Sequence, residues 1–511
     1  MHWSDSIIFL AYLVGILWLG YRARGRDRST GEYFLAGRSM SWVPVGLSVM
    51  VTAFSAVNYA ALPSEVFGHG LYVLISLPVF VLVAAPITRV FMPFFYGMRL
   101  TSAYEYLERR FDARVRCLAS GLFILWRLLW MATALYASGK ILGAIAGVHP
   151  ALVIIIGGMI ATLYTSYGGM RAVMWTDVAQ FIVLVGGIAV LLTLTATRSP
   201  ASVIDLWRVA TTGGRLKPFS PFDPEFFSFS PFVRITFWSG LIGTFVAFMA
   251  RYGADQVVLQ RYFSARSLRD AQRGFRLNIT AVLVAISLLA ILGLATYAHA
   301  DATGALGQPG LPPMRHLANL LRTLPSGAVG LIAAGILAAT MSSLDSGIHA
   351  CTLAYVTDFH NRFVTPDEIK SPQDHSRQFA VWLTVALGIL TIGLAFVVGR
   401  LGSVFVIANR IIHGLGSPLL AIILMGMFSR RANSRGVLVG GIVGILWSLW
   451  LSFGVDRLAL HYYAVFNLLG ALLACHVFSF SGAAPTRNQL AWTWKARSRD
   501  GSVPKETSSC G

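Results

Sequence analysis

The sequence predicts an all-α polytopic membrane protein, and three observations indicate this fold class. Of its 511 residues, 56% are hydrophobic and only 12% are charged, whereas a soluble domain carries about 25% charged residues. The mean hydropathy is +0.66. Apolar windows of about 20 residues, long enough to cross a bilayer, recur along the whole chain. The polar stretches between them are too short to form a separate soluble domain.

Thirteen windows are predicted to be transmembrane helices. In chain order they cover residues 4–21, 41–66, 70–96, 117–147, 150–167, 174–197, 232–259, 277–300, 326–357, 378–399, 402–428, 436–455 and 459–480. The Lys and Arg residues behind the formal net charge of +19 cluster in alternate loops. Because cytoplasmic loops are enriched in these residues, the N-terminus is predicted outside and the C-terminus in the cytoplasm. This pattern explains the charge without nucleic acid, so no nucleic-acid partner is expected.

Ten of the windows divide into two sets of five, over residues 41–197 and 232–428. Since an odd number of crossings reverses the second set, the arrangement is typical of the inverted repeats of secondary transporters. The remaining segments are an extra N-terminal helix with its loop (1–40), an extracellular loop (198–231), and two further helices with a basic tail (429–511).

Each set opens with a window that small and polar residues interrupt. These residues are Ser48, Thr52, Ser55, Asn58 and Pro63 in the first set, and Ser239, Gly240, Gly243, Thr244, Gly253 and Asp255 in the second. Paired broken helices at corresponding positions indicate a binding site. The alternative is that glycine and serine only permit close helix packing.

A hydroxyl-rich segment, AATMSSLDS at 338–346, lies inside a long apolar window. Polar groups at membrane depth are costly and therefore indicate function. Ala339, Ser342, Ser343 and Ser346 follow helical spacing and share one face. That face offers oxygen atoms, which a small hard cation prefers as ligands.

Several segments of the chain resemble the signatures of the sodium/solute symporter family. They read YFLAGRSMSW at 33–42, SYGGMRAVMWTDVAQ at 166–180, ADQVVLQRYFSAR at 254–266, and AATMSSLDS followed by TDF at 357–359. AYEYLERRF at 103–111 and GSPLL near Gly416 resemble the branch that carries monocarboxylates, iodide, vitamins or sialic acid more than the proline or sugar branches. The resemblance implies a five-plus-five inverted-repeat (LeuT-like) core and sodium-coupled import of a small solute.

The resemblance also implies a main sodium site that combines two helices. Its expected ligands are the hydroxyls of Ser342 and Ser343 and the carbonyls of Ala339, Val51 and Phe54. For the two serines, the alternative is a hydrogen bond to the carbonyl one turn back, which is common in membrane helices.

A second cation site is predicted from Asp177, Asp345 and Ser346. By the resemblance, Asp177 belongs to an inner sodium site or to the release path. Its alternative role is a carboxylate favoured by the positive end of a helix. Two carboxylates near one site repel unless a cation lies between them or one is protonated. A second sodium ion is the preferred hypothesis, and proton coupling is the alternative.

Five residues are expected to contact the solute: Asn58, Arg251, Tyr252, Arg127 and Trp130. A buried arginine needs an anion. For Arg251 this anion is either a solute carboxylate or Asp255, one helical turn away. For Arg127 the alternatives are contact with the anion and extension of the side chain to the cytoplasmic surface.

Other polar and aromatic residues in the windows have predicted roles of lower functional weight. Candidate gates are Phe54, Phe245, Phe248, Trp130 and Tyr136, although aromatic residues in membrane spans usually only pack. His69, His349 and His413 are expected to be hydrogen-bonded core or interface groups rather than proton relays. Gln256, Gln260 and Arg261 are expected to anchor the inner vestibule. The cysteines Cys117, Cys351, Cys475 and Cys510 show no disulfide or metal-site spacing.

These observations favour a sodium-coupled symporter for a small organic solute, most simply an organic anion. A neutral solute (sugar, amino acid or vitamin) or proton coupling remains as the alternative. A remote alternative is an intramembrane enzyme that uses Asp177 and Asp345 as paired carboxylates, and another is a sensor. The expected coupling ion is Na+, with no organic cofactor. The sequence shows no P-loop motif, so it does not support transport driven by ATP. The protein is expected to function as a monomer in the plasma membrane, or in the inner membrane of a bacterium.

Overall fold

The computed structural model describes residues 2–24, 29–198, 203–216, 225–307, 313–364, 373–401, 404–455 and 458–500. Regular structure in these ranges is helical. The α-helices are α1 (Trp3–Arg22), α2 (Thr30–Leu35), α3 (Trp42–Ala53), α4 (Ala56–His69), α5 (Ser76–Pro86), α6 (Met92–Tyr96), α7 (Glu105–Arg110), α8 (Ala113–Ala146), α9 (Pro150–Arg198), α10 (Val203–Thr212), α11 (Thr244–Gly253), α12 (Gln256–Ser264), α13 (Leu268–Ala302), α14 (Pro313–Arg322), α15 (Ala328–Tyr355), α16 (Gln373–Val398), α17 (Val404–Phe428), α18 (Ser434–Gly454), α19 (Tyr462–Phe478), α20 (Arg487–Leu490) and α21 (Trp494–Asp500).

Nine helices in the described ranges are long and apolar enough to cross a membrane. They occupy Trp3–Arg22, Ser76–Tyr96, Ala113–Ala146, Pro150–Thr197, Leu268–Ala302, Ala328–Val364, Arg377–Val398, Val406–Phe428 and Ser434–Gly454. A tenth candidate is the bent pair α3 and α4, whose axes differ by 67°. Helix α19 is apolar but shorter. The predicted all-helical, multi-pass membrane architecture is confirmed.

Helix α9 contains a sharp change of direction at Gly169. This residue has φ 64° and ψ −174°, while the segments before and after it are helical. A residue with a side chain rarely adopts a positive φ. A Cβ atom here would also lie 3.0 Å from the carbonyl oxygen of Tyr33. The glycine therefore permits both the turn and the close approach of the segment before α3.

Both windows with interrupting residues are broken helices, as their composition predicted. The first break separates α3 from α4 at Phe54 and Ser55, which are in extended conformations. The second separates α11 from α12 at Ala254 and Asp255. Each break is closed by a side chain that caps the following helix. The Ser55 hydroxyl accepts a hydrogen bond from the Val57 N–H. The Asp255 carboxylate accepts one from the Val257 N–H.

Helix α15 lies at the centre of the bundle, and its residues from Ile332 to Ala354 are buried. It packs against α9, α8, α3 and α1. Its first turn lacks a capping side chain of its own. Instead, the Asp5 carboxylate of α1 accepts hydrogen bonds from the N–H groups of Gly327 (2.7 Å) and Gly330 (3.0 Å). The extra N-terminal helix is therefore attached to the helix that carries AATMSSLDS.

An ion-pair network joins the other end of α15 to α7 and α8. Buried Asp358, of the TDF motif, accepts from Arg116 (2.7 Å) and Ser120 (2.8 Å). The Glu108 carboxylate accepts from Arg116 and Arg362. Burial disfavours the charged form of Glu108, but the two guanidinium groups hold the pKa of its carboxyl below the ordinary value. These contacts hold α7 and the first turns of α8 against the segment that follows α15.

Three of the four cysteines, Cys117, Cys351 and Cys475, are free thiols, and Cys510 lies outside the described residues. The predicted extracellular loop 198–231 contains the helix α10. The last eleven residues of the predicted tail also lie outside the described ranges.

Candidate functional site

The first group of candidate ligands lies where α15 faces the break between α3 and α4. The break leaves the last carbonyls of α3 without helical partners. The Val51 carbonyl accepts from the Phe54 N–H (3.0 Å) and from the Ser342 hydroxyl of α15 (3.2 Å). Residues that are nearly 300 positions apart in sequence therefore meet at the break.

The second half of this oxygen cluster is on α15 itself. The hydroxyls of Ser342 (3.1 Å) and Ser343 (3.2 Å) both donate to the Ala339 carbonyl. This is the back-bonding that was the alternative to ion binding, and it is compatible with both roles. A hydroxyl that turns its hydrogen away from the Ala339 carbonyl has lone pairs available to coordinate a cation. The two hydroxyls and the two carbonyls are uncharged oxygens, and such donors fit Na+.

A second polar cluster is built around Asp177 of α9, which is fully buried. Its carboxylate accepts from the Ser48 hydroxyl (2.5 Å) and from the Arg261 guanidinium (3.2 Å). Arg261 also donates to Ser48 (2.6 Å) and to Ser346. A buried carboxylate without a partner is strongly destabilising. Arg261 therefore neutralises Asp177, a role beyond the structural anchor predicted for it.

Asp345 lies on the other side of Ser346 and belongs to the same cluster. Its carboxylate accepts from the Tyr164 hydroxyl (2.6 Å) and from the Ser346 hydroxyl (3.0 Å). Ser346 also contacts the Thr52 hydroxyl (3.0 Å). The structure thus brings the three predicted residues of the second site together. The cluster also contains Ser48, Thr52, Tyr164 and Arg261. The sequence had marked Ser48 and Thr52 only as polar residues that interrupt their helix, and it gave no role to Tyr164.

A cavity of about 190 Å³ lies between the two broken helices. Four of the five predicted solute-contact residues, Asn58, Trp130, Arg251 and Tyr252, line it, together with Phe54 and Phe248 among the candidate gates. Phe245 and Tyr136 are not among the lining residues. Phe248 packs on Phe80, with ring centroids 4.0 Å apart. The wall is otherwise mainly apolar.

Arg251 lies in this cavity with its guanidinium carbon 5.7 Å from the centroid of the Trp130 ring. Within the described residues it has no acidic partner. Pairing with Asp255, one of the two alternatives for Arg251, is wrong. The break after Gly253 ends α11, so Arg251 and Asp255 are not on one helix and the spacing of four residues does not bring them together. The positive charge of Arg251 thus faces the cavity.

Arg127 does not line this cavity, and its predicted extension to the cytoplasmic surface is wrong. Its guanidinium forms an ion pair with the Asp255 carboxylate, with a further contact of 3.1 Å from Nε. Its side chain is 3% exposed, so it does not extend to the membrane surface. The pair connects residues 128 positions apart, and no periodicity in the sequence could reveal it. It attaches the middle of α8 to the break between α11 and α12.

The three predicted histidine positions differ in their surroundings. His349 is hydrogen-bonded to the Tyr33 carbonyl (3.1 Å) and to Gln260 (3.1 Å), as expected for a core histidine. His69 lies 3.4 Å from Glu65. His413 is buried, lines the cavity, and has no hydrogen bond at either ring nitrogen in the described part of the chain. The expectation of a hydrogen-bonded group is therefore wrong for His413.

One ion pair lies at the edge of the cavity where α4 meets the segment before α11. Glu65 lines the cavity and accepts two hydrogen bonds from Arg234, at 2.6 and 2.9 Å. The carbonyl of Arg234 accepts from the Leu460 N–H (3.1 Å). Glu65 is thus neutralised, and Arg251 is left as the charged cavity residue without a counter-ion among the described residues. The described residues contain no group of three or more His, Cys, Asp or Glu side chains that could hold a metal ion.

Two broken helices around a central cavity, with an oxygen cluster at one break, define a membrane carrier. Comparison with known proteins gives the family. The profile described as "Sodium:solute symporter family" matches residues 33–444. The chain is 31% identical over 460 residues to the sodium-dependent multivitamin transporter of Oryctolagus cuniculus, which covers 88% of this chain and 70% of that protein. It is 31% identical over 464 residues to sodium-coupled monocarboxylate transporter 1 of Mus musculus, covering 88% and 73%.

The human (Homo sapiens) sodium/iodide cotransporter is 30% identical over 466 residues, covering 88% of this chain and 70% of that protein. Among solved structures, a Na+-coupled sialic acid symporter in a substrate-bound outward-open state has a TM-score of 0.85 at 23% identity, covering 95% and 99% of the two chains. The nucleobase-cation-symport-1 family transporter Mhp1 has a TM-score of 0.54 at 13% identity, covering 92% and 98%. These two likenesses establish the fold.

The chain belongs to the sodium:solute symporter family. Its relatives are transporters, and the remote alternative of an intramembrane enzyme is thereby excluded. The contacts of Asp177 agree with this, because a carboxylate paired with Arg261 is not one of two carboxyls that share a proton.

Proposed function

We propose that this protein is a secondary active symporter that imports a small organic anion together with Na+ by alternating access. The observation that supports an anionic solute is Arg251, a positive charge in a mainly apolar cavity without an acidic partner among the described residues. A positive charge in a mainly apolar cavity is costly without a counter-ion, and a bound carboxylate would supply that counter-ion. Inward movement of each sodium ion across 100 mV would contribute about 2.3 kcal/mol in addition to its concentration gradient.

The membrane topology we propose has thirteen crossings in the plasma membrane, or in the inner membrane of a bacterium. The count follows if α9 crosses twice, on either side of Gly169, and if the pairs α3–α4 and α11–α12 and the short α19 cross once each. The other eight long helices supply the rest. The two broken pairs would then open the two inverted five-helix repeats, 41–197 and 232–428. The N-terminus would be outside, and the carrier would act as a monomer.

The main sodium site we propose consists of Val51, Phe54, Ala339, Ser342 and Ser343. The contacts of Ser342 with the Val51 and Ala339 carbonyls, and of Ser343 with the Ala339 carbonyl, support this assignment. Phe54 ends α3 at the same break, and we assign its carbonyl as the fifth ligand. A site that joins the hinge of a broken helix to an intact helix would couple sodium binding to the relative position of the two.

The second cation site we propose is Asp177, Asp345 and Ser346. Asp177 and Asp345 carry two negative charges and Arg261 carries one positive charge, so one negative charge of the cluster is left uncompensated. A monovalent cation or a proton would neutralise it. The oxygen-rich surroundings, with Ser48, Thr52 and Ser346, favour a second Na+, and a proton on Asp345 is the alternative.

Asp345→Asn tests the second site because it removes the charge and retains an oxygen for the Tyr164 hydroxyl. We expect the Hill slope for sodium to fall toward one. The measurement is initial uptake as a function of Na+ concentration at several pH values. A pH dependence lost at unchanged Hill slope would instead indicate proton coupling. If neither sodium nor pH dependence changed, Asp345 would have no place in the site.

Arg251→Gln tests the anion. Because a hydrogen bond to a charged group contributes about 1.5–3 kcal/mol, we expect the apparent affinity for the anion to fall by about tenfold to more than a hundredfold. Arg251→Lys keeps the charge but not the planar guanidinium group, so it should lower this affinity by a smaller factor.

The measurement is thermal stabilisation of the purified protein by a panel of carboxylates, sugars and amino acids, each with and without Na+. A bound solute stabilises by mass action, by about 2.7 kcal/mol at 100 times its dissociation constant. Stabilisation by a neutral solute alone, unaffected by Arg251→Gln, would favour the neutral-solute alternative over the anion.

A further inference from the structure

The cavity has polar groups at two separate places along α11. Thr244 and Arg251 both line it, and seven residues place them on the same face of this helix. With a rise of 1.5 Å per residue, they are about 10 Å apart along the axis. Arg251 and Trp130 form what we name the charged end of the cavity.

The other end, which we name the neutral end, comprises Thr244, His413 and His461. The rings of His413 and His461 have centroids 6.5 Å apart. The backbone of His461 lies directly against Gly243, the residue before Thr244, where an added Cβ atom would overlap the His461 carbonyl. All three residues of the neutral end line the cavity.

The neutral end contains buried hydrogen-bonding groups that nothing in the described structure satisfies. The Thr244 hydroxyl and both ring nitrogens of His413 are without hydrogen bonds. Other helical threonines of this chain, such as Thr133 and Thr162, donate to a carbonyl one turn back. Thr244 follows the π-helical turn Ser239–Gly243 and makes no such bond. Leaving buried polar groups unpaired costs free energy, and a ligand group at this end would remove that cost.

The charge near the neutral end excludes a second anionic group there. Glu65 lines the same cavity and is held by Arg234, whose carbonyl bonds to the residue before His461. Because Glu65 and Arg234 already form a bidentate pair, a carboxylate placed at the neutral end would find no unpaired cation among the described residues that line it. An uncharged hydroxyl or amide can instead accept from His413 or donate to it, and can bond to Thr244.

We propose that the transported solute is a monoanion that carries an uncharged hydrogen-bonding group about 10 Å from its carboxylate, with an apolar body between them. This inference rests on the proposed function and adds the shape of the solute to it. The carboxylate lies at Arg251 and Trp130, and the distal group lies at Thr244 and His413. Thr244 and His413 are thus specificity-determining residues that select a long solute over a short carboxylate or an inorganic anion.

The test compares three series of equal chain length, from two to ten carbons, in the presence of Na+: plain monocarboxylates, ω-hydroxy carboxylates and dicarboxylates. The purified full-length protein is used for thermal stabilisation and for competition of uptake in proteoliposomes. We expect the ω-hydroxy acids to bind about two- to tenfold more tightly than plain acids, as one hydrogen bond allows, only at lengths that span both ends. Dicarboxylates of those lengths should bind more weakly than the plain acids and than the ω-hydroxy acids.

Thr244→Val removes the hydroxyl and keeps the shape, and it should bring the ratio between ω-hydroxy and plain acids close to one. Thr296→Val is the matched control, because Thr296 donates only to the Leu292 carbonyl on α13 and should leave the ratio unchanged. His413→Phe should also lower the ratio. If that variant does not fold, Thr244→Val decides the question alone.

The outcomes separate this inference from the proposed function. If no carboxylate of any series binds in Na+, the proposed anion is wrong. If plain acids bind through Arg251 while the ω-hydroxyl gives no advantage at any length, and Thr244→Val changes nothing, the proposed function stands and the two-ended solute is wrong.

Discussion

Ser343→Ala is expected to lower the apparent affinity for Na+ by about tenfold to more than a hundredfold. This range corresponds to about 1.5–3 kcal/mol for the loss of one oxygen from a charged ligand. The hydroxyl of Ser343 contacts the Ala339 carbonyl, and both oxygens belong to the sodium site we propose. The measurement is uptake as a function of Na+ concentration in proteoliposomes. Sodium-driven uptake should be nearly lost at ordinary Na+ concentrations.

The matched control for Ser343→Ala is Thr340→Val on the same helix. The Thr340 hydroxyl donates to the Ile336 carbonyl (3.1 Å) and contributes nothing to the oxygen cluster. Its loss should leave the sodium affinity unchanged. Equal effects of the two substitutions would mean that Ser343 acts only by back-bonding within α15, and the proposed sodium site would then be wrong.

Arg127→Met is expected to destabilise the protein by about 3–5 kcal/mol. The substitution leaves the Asp255 carboxylate buried without its partner, and this is the usual cost of breaking a buried ion pair from one side. Asp255 also caps α12, so the break between α11 and α12 should loosen as well. The measurement is the thermal unfolding midpoint of the purified protein in detergent, together with uptake.

A second substitution separates charge from structure at this pair. Asp255→Asn retains an oxygen for the Val257 N–H but removes the charge, so the double variant Arg127→Met and Asp255→Asn should recover most of the lost stability. The partly exposed pair Arg362–Glu108 provides the control, since Arg362→Met leaves Glu108 paired with Arg116 and should cost no more than about 1 kcal/mol. A single Arg127→Met that is as stable as this control would contradict the buried pair.

The sequence was sufficient for the fold class and for placing the polar residues of α15 on one helical face. Long apolar windows define membrane helices because the bilayer allows few alternatives, and the polar interruptions correctly located both broken helices. Ser342, Ser343 and Ala339 could be placed on one face because helical periodicity is local. Their partner Val51 came from resemblance to a family and not from spacing.

Pairings between distant helices could not be predicted from the sequence. Arg251 and Asp255 have the spacing of a helical ion pair, but the helix break between them separates them and lets Arg127 take Asp255. In the same way, the carboxylates of Asp177 and Asp345 suggested a bound cation from the sequence. In the structure the guanidinium of Arg261 already lies beside Asp177. Such pairings depend on how helices meet in three dimensions. Periodicity along one segment contains no information about that arrangement.

The most direct test of the central claim is the uptake of a labelled solute into proteoliposomes containing the full-length protein. The solute is the carboxylate that gives the largest sodium-dependent thermal stabilisation. With an inward Na+ gradient and a negative interior, the solute should accumulate above its external concentration. Replacing Na+ by K+ should abolish accumulation, and Ser343→Ala should greatly reduce it at ordinary Na+ concentrations. Accumulation that is the same with and without a Na+ gradient would contradict sodium-coupled symport.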